Sequence, residues 1–268
     1  MELISAAKKH FKFSKEEVRD LVIVSILVGF MFSFTQWGTD KLDVNVGLKN
    51  LAIACMLTAL AFLVHVSAQK IAAIKQGYNA SFQKYMPGLM LGLMLTIVMP
   101  ISIKSYNNLA FPIIVAGGIA ITAFSIQRLG HEKPIIKHSE LAVLTFMGPL
   151  ANVILALIFK AMINTGMNVE LAKTAMAING WIAIFSILPI ALVFNPLLML
   201  TLRSKAPTIP AMDGSTIFYA SRIFYGFAAA FVIACSATMF YINPIAAALS
   251  ATIIGLVAMI VIIKTFEI

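Results

Sequence analysis

Six runs of mostly apolar residues dominate the chain and constrain its fold more than any other feature. A membrane-spanning helix needs roughly 20 consecutive apolar residues. Runs of about that length lie at 21–37, 48–74, 141–163, 174–194, 217–241 and 244–264. The sequence therefore predicts an all-α integral membrane protein with about six transmembrane helices and the lipid bilayer as its surroundings.

The composition supports the same class. Of the 268 residues, 60% are hydrophobic and 12% are charged, whereas a soluble domain has about 25% charged residues. This argues against a soluble enzyme, a disordered chain and a secreted disulfide scaffold. The net charge of +9 comes from basic residues between the apolar runs, so it predicts membrane orientation and no nucleic-acid partner.

Two further uncharged stretches, 87–103 and 109–127, are interrupted by glycine and proline. The interrupting residues are Gly88, Gly92, Pro100, Pro112, Gly117 and Gly118. Broken backbone at membrane depth requires protein or a wet cavity around it. We expect a re-entrant hairpin over 87–127, and a topology of eight spans is the alternative.

The basic residues are distributed unequally between the two sides of this topology. With the N-terminus inside, fifteen Lys and Arg residues lie inside and four outside, and Lys104 is ambiguous. Positive charge accumulates on the cytoplasmic side. We therefore expect a multi-pass protein of the cell membrane with both termini cytoplasmic. In the mixed-charge segment 1–20, Ser14 before Lys15-Glu16-Glu17 predicts the N-cap of a short interfacial helix.

Few polar residues lie within or beside the apolar runs, and those that do are informative because burial there is costly. His65 and Gln69 are four residues apart and share a helix face, Asn152 lies in the third run, and Asp213 precedes the fifth. A structural interpretation is available for each. His65 is then hydrogen-bonded to Asp213 or Asn152, and Asp213-Gly214 forms a turn and N-cap. In the same interpretation, Gly148-Pro149 breaks the third span.

Three short motifs resemble the site-2 protease family of intramembrane zinc metalloproteases. They are His65-Val66-Ser67-Ala68-Gln69 in place of H-E-x-x-H, Gly148-Pro149-Leu150-Ala151-Asn152 for G-P-x-x-N, and Pro189 with Asp213-Gly214 for the later proline and D-G element. The resemblance implies a core over 48–222 that contains the hairpin 87–127 and an insertion at 190–208. The flanking parts are the segment 1–20, a first span with its outer loop over 21–47, and C-terminal spans over 223–268.

The departures from the family motif decide the expected function. The resemblance assigns zinc binding to His65, to the position of Gln69 and to Asp213, and general-base catalysis to the position of Val66. Valine cannot transfer a proton, and catalytic zinc usually has three protein ligands. We therefore expect no cofactor and no enzymatic activity: a pseudoprotease that binds or scaffolds a membrane-protein partner helix. Candidate contacts for that partner are Ser67, Gly117, Gly118, Gly148, Pro149 and Asn152.

Two alternatives remain. One is an active zinc metalloprotease with altered ligands, in which His131 or His138 replaces the lost ligand and Glu132 or Glu140 supplies a base. The other is a transporter or channel that uses the broken hairpins as a pathway.

Overall fold

The computed structural model describes residues 8, 10–38, 41–103, 108–123, 125–126, 130–131, 136–192, 195 and 212–266. Most of the predicted insertion at 190–208, together with Glu132 and residues 1–7, lies outside the described residues. The described part is mainly helical and contains eight helices of eight residues or more. They are α1 (Lys15–Ser33), α2 (Val44–Gln76), α3 (Met86–Val98), α4 (His138–Asn164), α5 (Val169–Ile187), α6 (Asp213–Ala220), α7 (Arg222–Thr238) and α8 (Pro244–Phe266).

Four segments in the described residues are long and apolar enough to cross a membrane: Val44–Gln76, His138–Asn164, Val169–Leu192 and Pro244–Thr265. They correspond to four of the six predicted spans and fit an integral membrane protein. Most of the first predicted span, 21–37, lies in α1, a helix that carries five charged residues in its first turns and ends at Ser33. The fifth predicted span is divided between α6 and α7, which are separated at Ser221.

Local sequence signals explain where several helices begin and end. Ser14 caps α1 as predicted, because its side chain accepts from the Glu17 amide while the Glu17 carboxylate accepts from the Ser14 amide. The predicted interfacial helix and first span are one continuous helix. Gly77 ends α2 in the left-handed conformation, with φ of 86°, which glycine adopts without steric cost.

Between α2 and α4 the mainly helical fold also contains short strands, which the apolar pattern did not predict. There, β1 (Tyr78–Lys84) pairs antiparallel with β4 (Gly117–Ala123) over seven residue pairs. Shorter pairs form between β2 (Ser102–Ile103) and β3 (Leu109–Ala110), and between β5 (Ser125–Ile126) and β6 (Gly130–His131). The described residues of the region 87–127, where we expected a re-entrant hairpin, form one short helix, α3, followed by extended chain and strands.

Helix α2 is the central element of the fold, because it packs against α1, α4, α5 and β1. A first apolar cluster joins α1, α2 and α5 to the extended segment around Phe111–Ala116, and a second joins α4 and α5 to α7 and α8. Close contact between α1 and α2 depends on Gly29, where an added Cβ would approach the backbone of Cys55 to 2.7 Å. This packing places one face of α2 against α4 and α6.

Candidate functional site

The polar residues that the sequence singled out meet at one buried site between α2, α4 and α6. His65 Nε2 lies 2.8 Å from Asp213 Oδ2. The Gln69 side-chain amide donates to Asp213 Oδ1 over 2.9 Å. Both carboxylate oxygens of Asp213 therefore have a partner, and the two residues at the HExxH histidine positions contact the same carboxylate.

Two more contacts extend the network into α4. Asn152 Nδ2 lies 3.2 Å from His65 Nδ1, and the Gln69 amide also donates to the Thr145 carbonyl over 3.2 Å. With a neutral imidazole, one assignment satisfies all of these contacts: His65 Nε2–H donates to Asp213 and Nδ1 accepts from Asn152. We call His65, Gln69, Asn152 and Asp213 the polar tetrad.

The polar tetrad is almost completely enclosed. The exposed fractions are 7% for His65, 1% for Gln69, 0% for Asn152 and 6% for Asp213. Buried polar groups are costly unless they are hydrogen-bonded, and the network meets that requirement for most of the side-chain atoms. The exception is Asn152 Oδ1, which is buried without a hydrogen-bond partner among the described residues.

Gly148 allows α4 to approach this site. A Cβ at Gly148 would meet the imidazole of His65 and would lie 2.6 Å from Gln69 Nε2. Pro149 does not break the helix, since α4 runs from His138 through to Asn164; the predicted break at Gly148-Pro149 was wrong. The G-P-x-x-N motif therefore provides a close helix contact at Gly148 and an imidazole partner at Asn152.

Asp213 reaches the tetrad from the start of α6. The N-cap of α6 is Met212, without a side-chain cap bond, and Asp213 is the first residue of the helix. The predicted N-cap role of Asp213 was therefore wrong. Its negative charge lies in the first turn, where the helix dipole is favourable to an anion. Gly214 is required beside it, because a Cβ there would meet the Ile187 carbonyl.

A small cavity of about 30 Å³ adjoins the tetrad, enough for about one or two water molecules. His65, Gln69 and Asp213 form its polar wall, and the remaining lining residues are Phe62, Phe82, Ile114, Ala116, Gly117, Gly118, Ile119, Ile182, Phe185, Ser186 and Met212. Of the six predicted partner contacts, Gly117 and Gly118 line this cavity. Gly148 and Asn152 are engaged within the chain, Pro149 is buried in α4, and Ser67 is half-buried on α2.

Sequence reasoning missed the contribution of β1 to this cavity. Tyr78, Ala80 and Phe82 alternate with more polar residues and are all buried. That period of two is the signal for a half-buried strand. Phe82 consequently faces the cavity, and its strand positions Gly117 and Gly118 through the pairing with β4.

The described donor atoms do not fit a zinc site of the family type. Such a site needs three ligands from His, Cys, Asp or Glu, and the tetrad supplies one imidazole and one carboxylate. Gln69 directs its amide nitrogen towards Asp213, and a nitrogen that donates its protons cannot also ligate a cation. Among the described residues, no group of three or more His, Cys, Asp or Glu could hold a metal ion.

Two of the residues proposed to replace the lost zinc ligand or the lost base, His138 and Glu140, lie in the first turn of α4. His138 begins α4 and is exposed, and Glu140 accepts a hydrogen bond from the Tyr78 hydroxyl over 3.4 Å. The side chain of His131 and the whole of Glu132 lie outside the described residues. Val66, which the resemblance places at the catalytic glutamate position, is fully buried in an apolar cluster.

Comparison with known proteins identified no relative. No family model, no curated protein and no solved structure matches the chain.

Proposed function

We propose that this protein is a non-catalytic relative of the site-2 proteases that binds an extended segment of a membrane partner beside the polar tetrad. The observation that carries the proposal is the outer edge of β4 at the cavity, with which no strand among the described residues pairs. The proposed relationship to the family is supported by three motifs: His65-Val66-Ser67-Ala68-Gln69, Gly148-Pro149 and Asp213-Gly214. The altered residues Val66 and Gln69 supply the argument against hydrolysis.

The direction of the β4 backbone follows from the pairing with β1. In an antiparallel pair, the amide and carbonyl of each residue point to the same edge, and successive residues alternate. The Tyr85 amide donates to the Ala116 carbonyl, so Gly118 and Ala120 also face β1. Gly117, Ile119 and Ile121 therefore direct their backbone groups away from β1.

No strand in the described part of the chain pairs with this outer edge of β4. Gly117 and Ile119 also line the cavity next to the tetrad. An exposed strand edge is a template for another extended chain, and main-chain pairing of that type is a common form of peptide recognition. The cavity of about 30 Å³ holds only one or two water molecules, so the partner lies along the β4 edge beside it, and main-chain pairing at a strand edge takes an extended segment.

The chemistry of the tetrad favours binding over cleavage. Cleavage by the family mechanism needs a general base, and the residue at that position is the aliphatic Val66. The imidazole and the carboxylate are hydrogen-bonded to each other and to two amide side chains. A network of this type stabilises the packing of α2 against α4 and α6.

A zinc metalloprotease with altered ligands is the second candidate. It is favoured by one observation, the convergence of His65 and Asp213 to 2.8 Å although they are 148 residues apart in sequence. It predicts bound zinc in the purified protein, whereas the binding function does not.

Photo-crosslinking in native membranes tests the binding function. We would place p-benzoylphenylalanine at Ile119 and, as the control, at Ile253 on α8, which is 62% exposed. We expect a discrete protein adduct only at Ile119, with one extended segment of a membrane protein attached. Equal adducts at both positions, or none at Ile119, would contradict the proposal.

Two proline variants make this test more specific, because proline removes one backbone N–H donor. Ile121→Pro removes an amide that faces the open edge and leaves the pairing with β1 intact. Ala120→Pro removes an amide that pairs with Ser81 across the sheet. We expect Ile121→Pro to abolish the adduct at Ile119 without loss of folded protein, and Ala120→Pro to destabilise the strand pair itself.

A further inference from the structure

The opposite edge of the same sheet is closed by charged side chains. Along β1, the residues Ala80, Phe82 and Lys84 direct their backbone groups away from β4. The Lys70 ammonium donates to the Ala80 carbonyl over 2.7 Å, and the Phe82 amide donates to the Glu17 carboxylate over 2.9 Å.

Glu17 and Lys70 also bind each other directly. Lys70 Nζ lies 2.9 Å from Glu17 Oε1, and their side chains are 4% and 5% exposed, respectively. Lys70 further donates to the Lys12 carbonyl over 3.1 Å and lies 4.9 Å from the centre of the Phe13 ring. The ammonium is therefore surrounded by a carboxylate, two carbonyls and an aromatic face.

The charged atoms of a pair this deeply buried all need hydrogen-bond partners. Removal of one member of the pair leaves an uncompensated charge. Here both charged groups bind backbone of β1, and each also binds backbone near the start of α1. Glu17 accepts from the Ser14 amide in its own cap and from Phe82 in β1, and Lys70 connects α2 to β1 and to the residue Lys12. The pair thus joins the N-terminal segment, α2 and β1 at one point.

We propose that Glu17 and Lys70 form a latch through which the N-terminal segment positions the partner-binding sheet. The latch closes the outer edge of β1, so that an extended partner joins only at β4. It also fixes the backbone of Phe82, whose side chain lines the cavity. This inference rests on the proposed function for its consequence, but the latch itself can be tested without the partner.

Asp20 supports the latch from the next turn of α1. The Lys84 ammonium forms an ion pair with Asp20, and the Lys84 amide donates to the same carboxylate over 3.4 Å. Each outward-facing residue of β1 from Ala80 to Lys84 therefore has a charged partner from α1 or α2. Glu17 and Asp20 are thus positioning residues for the sheet.

Hydrogen–deuterium exchange on the full chain in lipid nanodiscs tests the latch. The variant is Glu17→Gln, and the matched control is Glu16→Gln, a neighbouring carboxylate that is exposed on the same turn of α1. We expect peptides from β1 and β4 to exchange faster by about tenfold or more in Glu17→Gln, because the local opening loses a buried charge-assisted hydrogen bond. Peptides from α4 and α5 should retain their protection.

Three results would overturn the proposal. One is unchanged exchange in β1 and β4. Another is an increase no larger than that of Glu16→Gln, and the third is a uniform increase that includes α4 and α5, which indicates global destabilisation alone. If Glu17→Gln does not fold, Glu17→Asp retains the charge on a shorter side chain, and we expect a smaller increase in the same two strands.

The crosslinking yield at Ile119 separates the latch from the binding function. An adduct that forms in the native protein and falls severalfold in Glu17→Gln, but not in Glu16→Gln, supports both. An adduct that is unchanged in Glu17→Gln overturns the coupling and leaves the binding function standing. Absence of any adduct in the native protein counts against the binding function, while the exchange data still decide whether the latch positions the sheet.

Discussion

The Gln69 amide nitrogen donates a hydrogen bond of 2.9 Å to Asp213 Oδ1, across 144 residues of sequence. The resemblance implies a histidine at position 69, whose ring nitrogen would point towards the same carboxylate. Gln69 instead donates a hydrogen bond to Asp213, so this contact distinguishes the site more clearly than the His65–Asp213 pair does. The site is a hydrogen-bonded network at the place where the resemblance implies a metal.

Gly148→Ala should destabilise the protein by about 1–3 kcal/mol, the usual cost of an overpacked core. The added methyl group would collide with His65 and Gln69 and force α4 away from α2. The control is Val143→Leu, which adds one carbon on the exposed side of the same helix, where Val143 is 44% exposed. Thermal unfolding in detergent should show a clear decrease for Gly148→Ala and almost none for the control. Equal effects would mean that Gly148 is not a close-contact position.

His65 and Asp213 should be energetically coupled. Each of His65→Leu and Asp213→Leu leaves a buried polar partner unsatisfied, whereas the double variant removes both partners. We expect the double variant to be less destabilised than the sum of the single variants by about 0.5–3 kcal/mol, the range found for residues in contact. A double-mutant cycle from denaturant unfolding in mixed micelles measures this. Additive effects would show that the 2.8 Å contact contributes no free energy.

The contribution of Asp20 to stability should depend on pH. Burial raises the pKa of this carboxyl, but the hydrogen bonds and the charge of Lys84 outweigh it, so the pKa in the folded protein is lowered. A lowered pKa means that the stabilisation is complete above the unfolded value of about 3.9. It is then lost as the pH falls through the folded value.

Unfolding temperatures of the native protein and Asp20→Asn test this dependence. The native protein should be the more stable at pH 6, and the difference should disappear as the solution is acidified below pH 4. Glu16→Gln, at an exposed carboxylate, should show no such convergence. A difference that stays constant with pH would show that Asp20 acts through packing and not through its charge.

Local patterns made much of the helical fold predictable. The apolar runs predict α2, α4, α5 and α8, because each run is long enough to be recognised as a membrane-spanning helix without knowledge of its tertiary contacts. Ser14 predicts the start of α1 because a cap depends on residues three positions apart. In contrast, β1 is short and partly polar, and its partner β4 is more than thirty residues away. Strand pairing at that distance depends on the tertiary structure, which no short pattern specifies.

The members of the site were predictable, and so was a hydrogen bond from His65 to Asp213 or Asn152, but the contact of Gln69 with Asp213 was not. His65, Gln69, Asn152 and Asp213 are conspicuous because polar residues within or next to apolar runs are rare. Their convergence depends on how α6 packs against α2 and α4. The Glu17–Lys70 latch was not predicted at all, because both residues lie in charged segments where solvent exposure is the ordinary expectation. Only the structure shows that they are buried together.

We propose that Gln69 and Val66, at the motif positions of a metal ligand and a general base, leave a hydrogen-bonded network where the resemblance implies a metal centre. Elemental analysis of zinc in the detergent-purified protein tests it most directly, beside Gln69→His, Asp213→Ala and the double variant Gln69→His/Asp213→Ala. We predict no stoichiometric zinc in the native protein and near-stoichiometric zinc in Gln69→His, since that change restores three ligands. The zinc should be lost again in the double variant. Near-stoichiometric zinc in the native protein that falls in Asp213→Ala would contradict the account and favour the metalloprotease.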